Sequence, residues 1–157
     1  RRGDVDRSYL HRIGLRIRRE IVALNQSCKK PFAAEHLGGG CAVGAWVSCR
    51  VFDLLSIENT FVLGFFGQEY DGDHCWTDVI EDSDCEVFDV TATQFGIRPQ
   101  VSHTPYHSPL GKRYCGLLRG EQAMREVAKK SWQEQSPMRY QKQLETIAQR
   151  IAENAHR

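Results

Sequence analysis

Apolar positions recur with two different spacings along the chain. Leu10, Ile13, Ile17, Ile21 and Leu24 fall three or four residues apart, with Arg12, Arg16 and Arg19 between them, and predict an amphipathic helix over about 8–24. Pro31 and the triple glycine 38–40 then read as loop. Over 41–55 the chain is apolar nearly all round, with Ala45, Trp46, Val47, Cys49, Phe52, Leu54 and Leu55, which predicts a helix buried on most of its surface. Three strand candidates follow. Residues 60–66 form a continuous β-rich run, 74–80 alternate, and 85–90 close the set, with Glu81, Asp82, Ser83 and Asp84 as the turn between the last two. Residues 96–116 hold Pro99, Pro105 and Pro109 and read as a long loop. Helices are predicted over 120–133 and 137–155, the second with Ser136 as cap and Pro137 in its first turn.

This order of elements predicts an α+β fold in a single domain over 1–157: a core at 38–96, an N-terminal helix at 8–24 and C-terminal helices at 120–155. Apolar residues make up 41% and charged residues 26% of the chain, which excludes a disordered tail or a membrane protein. No apolar run is long enough to span a bilayer. The start Arg1-Arg2-Gly3-Asp4 has neither Met nor an apolar stretch behind it, so a processed chain or a piece of a longer one is expected rather than a signal peptide.

The net charge of +1 conceals segregation. Residues 68–89 carry nine acids and no base, whereas 1–30 carry nine bases against three acids and 90–157 eleven against five. A uniformly basic nucleic-acid binder is therefore disfavoured, and no nucleic acid is expected as partner. The six cysteines form no C-x-x-C pair, and no metal or other cofactor is expected. His103 and His107 are four apart like helical metal ligands, but Pro105 between them argues against that helix.

Cys41 follows three glycines and opens the buried helix. Unpaired N–H groups and the positive end of the dipole at a helix start lower a thiol pKa, and the Cys41 amide could help hold an oxyanion. The structural alternative is a buried helix-start cysteine beside a flexible loop. His74 begins one strand and Asp89 ends the next, so both fall at the open end of the hairpin. With the turn near 82–83, paired residue numbers sum to about 165. His74 and Asp89 sum to 163, a difference that one residue of slack or a bulge would cover. Nucleophile, base and orienting carboxylate then converge, with His74 holding Cys41 as thiolate and Asp89 fixing the imidazole. His36 is the rival base. Cys49 and Cys75 are expected in the core, Cys75 on the face opposite His74, while Cys28, Cys85 and Cys115 are unplaced. For a second oxyanion donor, Asn25, Gln26 and the amides of Gly38, Gly39 and Gly40 all stand open. The acids flanking His74, Asp71, Asp73 and Asp78 among them, are expected beside the cleft, favouring a basic target and raising the His74 pKa.

Three segments carry a family likeness: Gly39-Gly40-Cys41 at a helix start, His74-Cys75-Trp76, and Val87-Phe88-Asp89-Val90-Thr91-Ala92-Thr93-Gln94-Phe95-Gly96. Together they resemble the papain-like, transglutaminase-like cysteine enzymes over residues 38–96. The resemblance implies a nucleophile helix packed on a small antiparallel sheet and a Cys41–His74–Asp89 triad, with Gly39, Gly40, Trp76 and Gln94 as oxyanion or substrate-binding residues. It also implies a thioester acyl-enzyme formed from an amide, above all deamidation or transamidation of a protein glutamine. A cysteine protease, a cell-wall peptide amidase and a non-catalytic module with basic helices are the alternatives. Deamidating bacterial toxins and effectors share this architecture, which implies secretion and action in the reducing cytosol of a target cell.

Overall fold

The computed structural model describes residues 6–34, 37–67, 73–81, 84–98, 100–129 and 137–155. Helix α1 spans Arg7–Ser27 and α2 spans Cys41–Leu54; strands β1 (Asn59–Phe66), β2 (Asp73–Glu81) and β3 (Asp84–Asp89) follow. Then come β4 (Ser102–Pro105), β5 (Tyr114–Arg119), α3 (Gly120–Lys129) and α4 (Gln141–Glu153). The five strands make one antiparallel sheet in the order β4-β3-β2-β1-β5. The fold is α+β.

Helix α1 starts where the Asp6 carboxylate accepts the Ser8 N–H at 2.9 Å, and its Leu10, Ile13, Ile17 and Ile21 stripe is buried. Helix α2 lies between the sheet and the pair α1 and α4, and this position accounts for a sequence that is apolar nearly all round. Gly44 lets α2 close onto the end of β3, since a Cβ there would stand 2.9 Å from both Val90 Cγ2 and Thr91 Cγ2. That close approach brings the helix start to the strand ends that carry the site.

The sheet is covered on both faces, so His74 to Val79 are buried without alternation. One face meets the helices through Phe61, Leu63, Cys75, Val79 and Phe88. The other buries Val62, Phe66, Trp76, Val87 and Tyr114 under Phe95, Ile97, Tyr106 and Leu110. No helix among the described residues is long and apolar enough to cross a membrane.

Two predicted elements need correction. The segment read as a loop over 96–116 contains β4 and the start of β5. Strand β4 is a four-residue edge strand ending in Pro105, held by backbone pairing to β3 rather than by an alternating apolar pattern. Strand β5 does alternate buried and less buried positions, but Gly116 at its bulge against β1 masks the strand signal. Pro137 starts a 3-10 turn over Pro137–Tyr140, and the α-helix begins only at Gln141. Ser136, and the predicted end of the preceding helix at 130–133, lie outside the described residues.

Candidate active site

The nucleophile candidate is set by the loop before it. Asn25 clamps Ala33 through both of its backbone groups at 2.9 Å, Ala34 N–H donates to Gly38 O at 2.8 Å, and Gly40 N–H donates to Leu37 O at 2.9 Å. Gly39 takes φ +81°, a left-handed conformation that favours glycine. Gly40 has no room for a side chain, with Ala33 Cβ 3.0 Å and Leu37 O 3.2 Å from where its Cβ would be. Gly40 is also the N-cap, with no side-chain cap. The first helical bond runs from Gly44 N–H to Gly40 O at 3.0 Å, so the Cys41 amide stands at an open helix end.

The hairpin of β2 and β3 pairs with residue numbers summing to 165 throughout, as in Thr77 with Phe88, and has no register shift. Continuing that register puts Asp89 opposite Trp76, one diagonal step from His74 on the same face. No slack or bulge is needed. His74 Nε2 lies 2.7 Å from Asp89 Oδ2, and both residues are buried, at 0% and 2% exposure. Asp89 is held from every side. Tyr114 donates its hydroxyl to Oδ2 at 2.8 Å, while the Thr91 amide and hydroxyl donate to Oδ1 at 2.8 and 3.1 Å. Buried Arg18 donates to Val90 O at 2.9 Å and adds positive charge near the carboxylate.

With Nε2 committed to Asp89, Nδ1 is the nitrogen left for the thiol, and Cys41 and His74 shift each other's pKa in opposite directions. Burial works against an imidazolium here, but the Asp89 carboxylate and then Cys41 outweigh it and push His74 up to about 10. Cys41 is shifted the other way, well below the ordinary thiol range. A hydrogen bond from Cys75 is the largest cause, partly opposed by burial and supported by His74. Asp89 is held below the usual carboxylate range because His74, Thr91 and Tyr114 outweigh its burial. Opposite shifts of this kind favour a thiolate–imidazolium pair with its proton on the ring. Cys41 itself is half-buried.

Several expected residues are placed differently. Trp76 is 1% exposed, stacks on His74 at 5.8 Å and donates its indole N–H to Tyr106 at 2.9 Å, so it supports the base rather than facing a substrate. The Gly40 amide is bonded to Leu37, and Asn25 holds the loop, so neither is a free oxyanion donor. Gly39 N–H reaches Gln94 Oε1 at 3.4 Å, while Gln94 Nε2 lies 3.3 Å from His74 Nδ1. Asp78 is not on a cleft rim; it is 1% exposed and takes the Tyr106 hydroxyl and Arg119. The forces raising His74 come from Asp89 and Cys41, not from the flanking acids. His36 and Asp71 lie outside the described residues.

Cys49 is bound to Thr77 and pushed up to about 12 by burial, and burial also raises exposed-edge Cys85. Cys75 is buried on the face opposite His74, as expected, but it is not inert core. Its thiol touches Cys41. Tyr114, Arg18 and Cys75 are the neighbours of the triad that sequence reasoning missed. Their only trace was alternation: Cys75 faces the helix layer because His74 does not.

Among the described residues no group of three His, Cys, Asp or Glu could hold a metal ion, and His103 lies in β4 with His107 in the turn after it. A groove of about 590 Å³ lined by Arg7, His11, Arg12 and His103 holds none of the triad. Comparisons with family models, curated proteins and solved structures give no match, so the site's own geometry has to carry its chemistry.

Proposed function

We propose that this chain is a cysteine-nucleophile enzyme of the papain-like, transglutaminase-like kind that acts on amide carbonyls, with the side chain of a protein glutamine as its substrate. The observation that carries the reading is the placement of half-buried Cys41 at an open helix start, its pKa lowered in part by an imidazole whose far nitrogen is 2.7 Å from a fully engaged carboxylate. A helix bearing the Cys, followed by antiparallel strands bearing the His and the Asp, supports the fold assignment.

The Cys41 thiolate attacks the carboxamide carbon, and the carbonyl electron pair moves onto oxygen beside the Cys41 amide. Collapse of this adduct breaks the C–N bond, with His74 Nδ1 giving its proton to the departing ammonia. A thioester on Cys41 remains. Neutral His74 then takes a proton from water, or from a primary amine, which attacks the thioester and restores the thiolate. Asp89 keeps the ring oriented and stabilises its charge without taking the proton.

Support for a primary carboxamide comes from Gln94. Its own side-chain amide spans the gap from the Gly39 N–H to His74 Nδ1, oxygen towards the backbone donor and nitrogen towards the base. That is the orientation a substrate glutamine needs. The basic helices offer less to the binding-module alternative, because Arg7, Arg50 and Arg150 are paired with Glu86, Glu145 and Glu20 and Arg18 is buried.

The test is ammonia release from a blocked glutamine peptide and from protein glutamine, with and without a primary amine. Wild type is expected to release ammonia, and Cys41→Ala to lose roughly 10³-fold or more. Peptide fragments without ammonia, or activity that survives Cys41→Ala, would overturn the reading.

A further inference from the structure

Cys75 brings a second sulfur to the nucleophile. It follows His74 on β2, so its side chain emerges on the opposite sheet face, where α2 packs. There it is 3% exposed among Ala42, Ala45, Phe61 and Leu63, and Cys41 packs against the same cluster. The two thiols share this packed layer closely enough for each to shift the other's pKa, Cys41 down and Cys75 up. A triad of Cys, His and Asp needs no second thiol.

We propose that Cys75 is a resolving cysteine: on exposure to a peroxide, Cys41 and Cys75 close into a reversible disulfide that shuts off the nucleophile. This rests on Cys41 being the activated thiol of the proposed function. In the first step the Cys41 thiolate attacks one peroxide oxygen. The O–O bond breaks, and the departing hydroxide takes the His74 proton to become water, leaving Cys41 as a sulfenic acid. In the second step the Cys75 sulfur attacks the Cys41 sulfur, the S–O bond breaks, and the hydroxyl leaves as water with the Cys75 proton. Hydrogen peroxide gains two electrons, one from each sulfur.

The order of events follows from the electrostatics. While Cys41 is a thiolate, its charge and burial hold the proton on Cys75, whose thiol is shifted well up. Once Cys41 is neutral sulfenic acid, that charge is gone, and so is the chief obstacle to attack by Cys75. Cys49 is no competitor, since its sulfur is held by Thr77 at 3.4 Å two helical turns along α2. Cys85 and Cys115 are exposed elsewhere on the sheet.

The experiment treats the reduced full chain with about two molar equivalents of hydrogen peroxide, enough for either the disulfide or a sulfinic acid, alkylates the remaining thiols, and maps the peptides by mass. The expected product is lighter by about two mass units, has two of the six thiols blocked, carries a linked pair of peptides containing Cys41 and Cys75, and returns to the reduced mass with dithiothreitol. Cys75→Ser is expected to give no such product and to gain about 32 mass units at Cys41 irreversibly. A linkage through another cysteine, or about 32 units gained at wild-type Cys41 with no linked peptide, would overturn the proposal. Mapping needs no substrate. A mapped disulfide in a chain that releases no ammonia when reduced would sink the glutamine reading and leave this one standing.

Discussion

His74 meets Asp89 at 2.7 Å and His103 meets Glu86 at 3.1 Å, with both carboxylates on β3, three residues apart and therefore on opposite sheet faces. Both histidine side chains are nearly fully buried. Yet burial, Asp89 and the thiolate leave His74 raised to about 10, whereas burial and nearby Arg7 hold His103 below its ordinary value, despite Glu86. The difference lies in what else each carboxylate serves. Asp89 receives only neutral donors, Thr91 and Tyr114, so its charge remains for the imidazole. Glu86 is already paired with Arg7, and its approach to His103 is off line, so neither ring nitrogen of His103 completes a hydrogen bond. A histidine beside a carboxylate is charged only when no better cation claims that carboxylate.

Breaking each pair should therefore cost very different amounts. Asp89→Asn removes the main buried counter-charge of His74 and is expected to destabilise the fold by roughly 3–5 kcal/mol in urea denaturation. Glu86→Gln, which loses half-exposed Arg7 as partner, is expected to cost less than about 1 kcal/mol. Equal losses would erase the contrast. Next in size is Tyr114→Phe, which removes one donor from Asp89 and leaves the ring packing in place. It should cost about 2 kcal/mol in urea denaturation and raise the Asp89 pKa, whose lowering rests in part on that hydroxyl.

Proton linkage sharpens the comparison further. Folding raises His74 from 6.5 to about 10, so its stabilisation is complete below 6.5 and is lost as pH rises towards 10. Cys41 is lowered from 9.0, so its stabilisation is present above 9.0 and is lost as pH falls through its native value. Where the two windows overlap they offset, because folding only moves a proton from sulfur to ring. In Cys41→Ala the His74 contribution stands alone, and stability should fall by up to about 1.4 kcal/mol per pH unit above neutrality. His103 acts oppositely. Its lowered pKa penalises folding as pH drops below 6.5, and His103→Gln should flatten the acid side of the stability profile by a smaller amount.

How far the sequence carries this account depends on the kind of signal each part leaves. Gly39, Gly40 and Cys41 before an apolar helix, and His74 and Asp89 at the open end of one hairpin, are local patterns, and the antiparallel pairing of β2 with β3 joins two runs adjacent in sequence. Tyr114 was hidden because its strand begins in a proline-rich stretch and pairs with β1, nearly fifty residues away in sequence. Asp78 looked like surface acid because alternation on β2 gives sidedness only, and both sides of this sheet are covered. Cys75 was legible as facing the helices, but that Cys41 would be the neighbour it met depended on how closely Gly44 lets α2 approach β3.

The ion pair itself is most directly read from thiolate absorbance at about 240 nm, followed against pH in wild type and in Cys41→Ala. The difference between the two chains should already show one ionised thiol well below the pH at which an ordinary thiol ionises, and that signal should vanish only on further acidification. A difference that appears only above about pH 8.5, as for an ordinary thiol, would contradict a Cys41 thiolate held by His74 and Asp89.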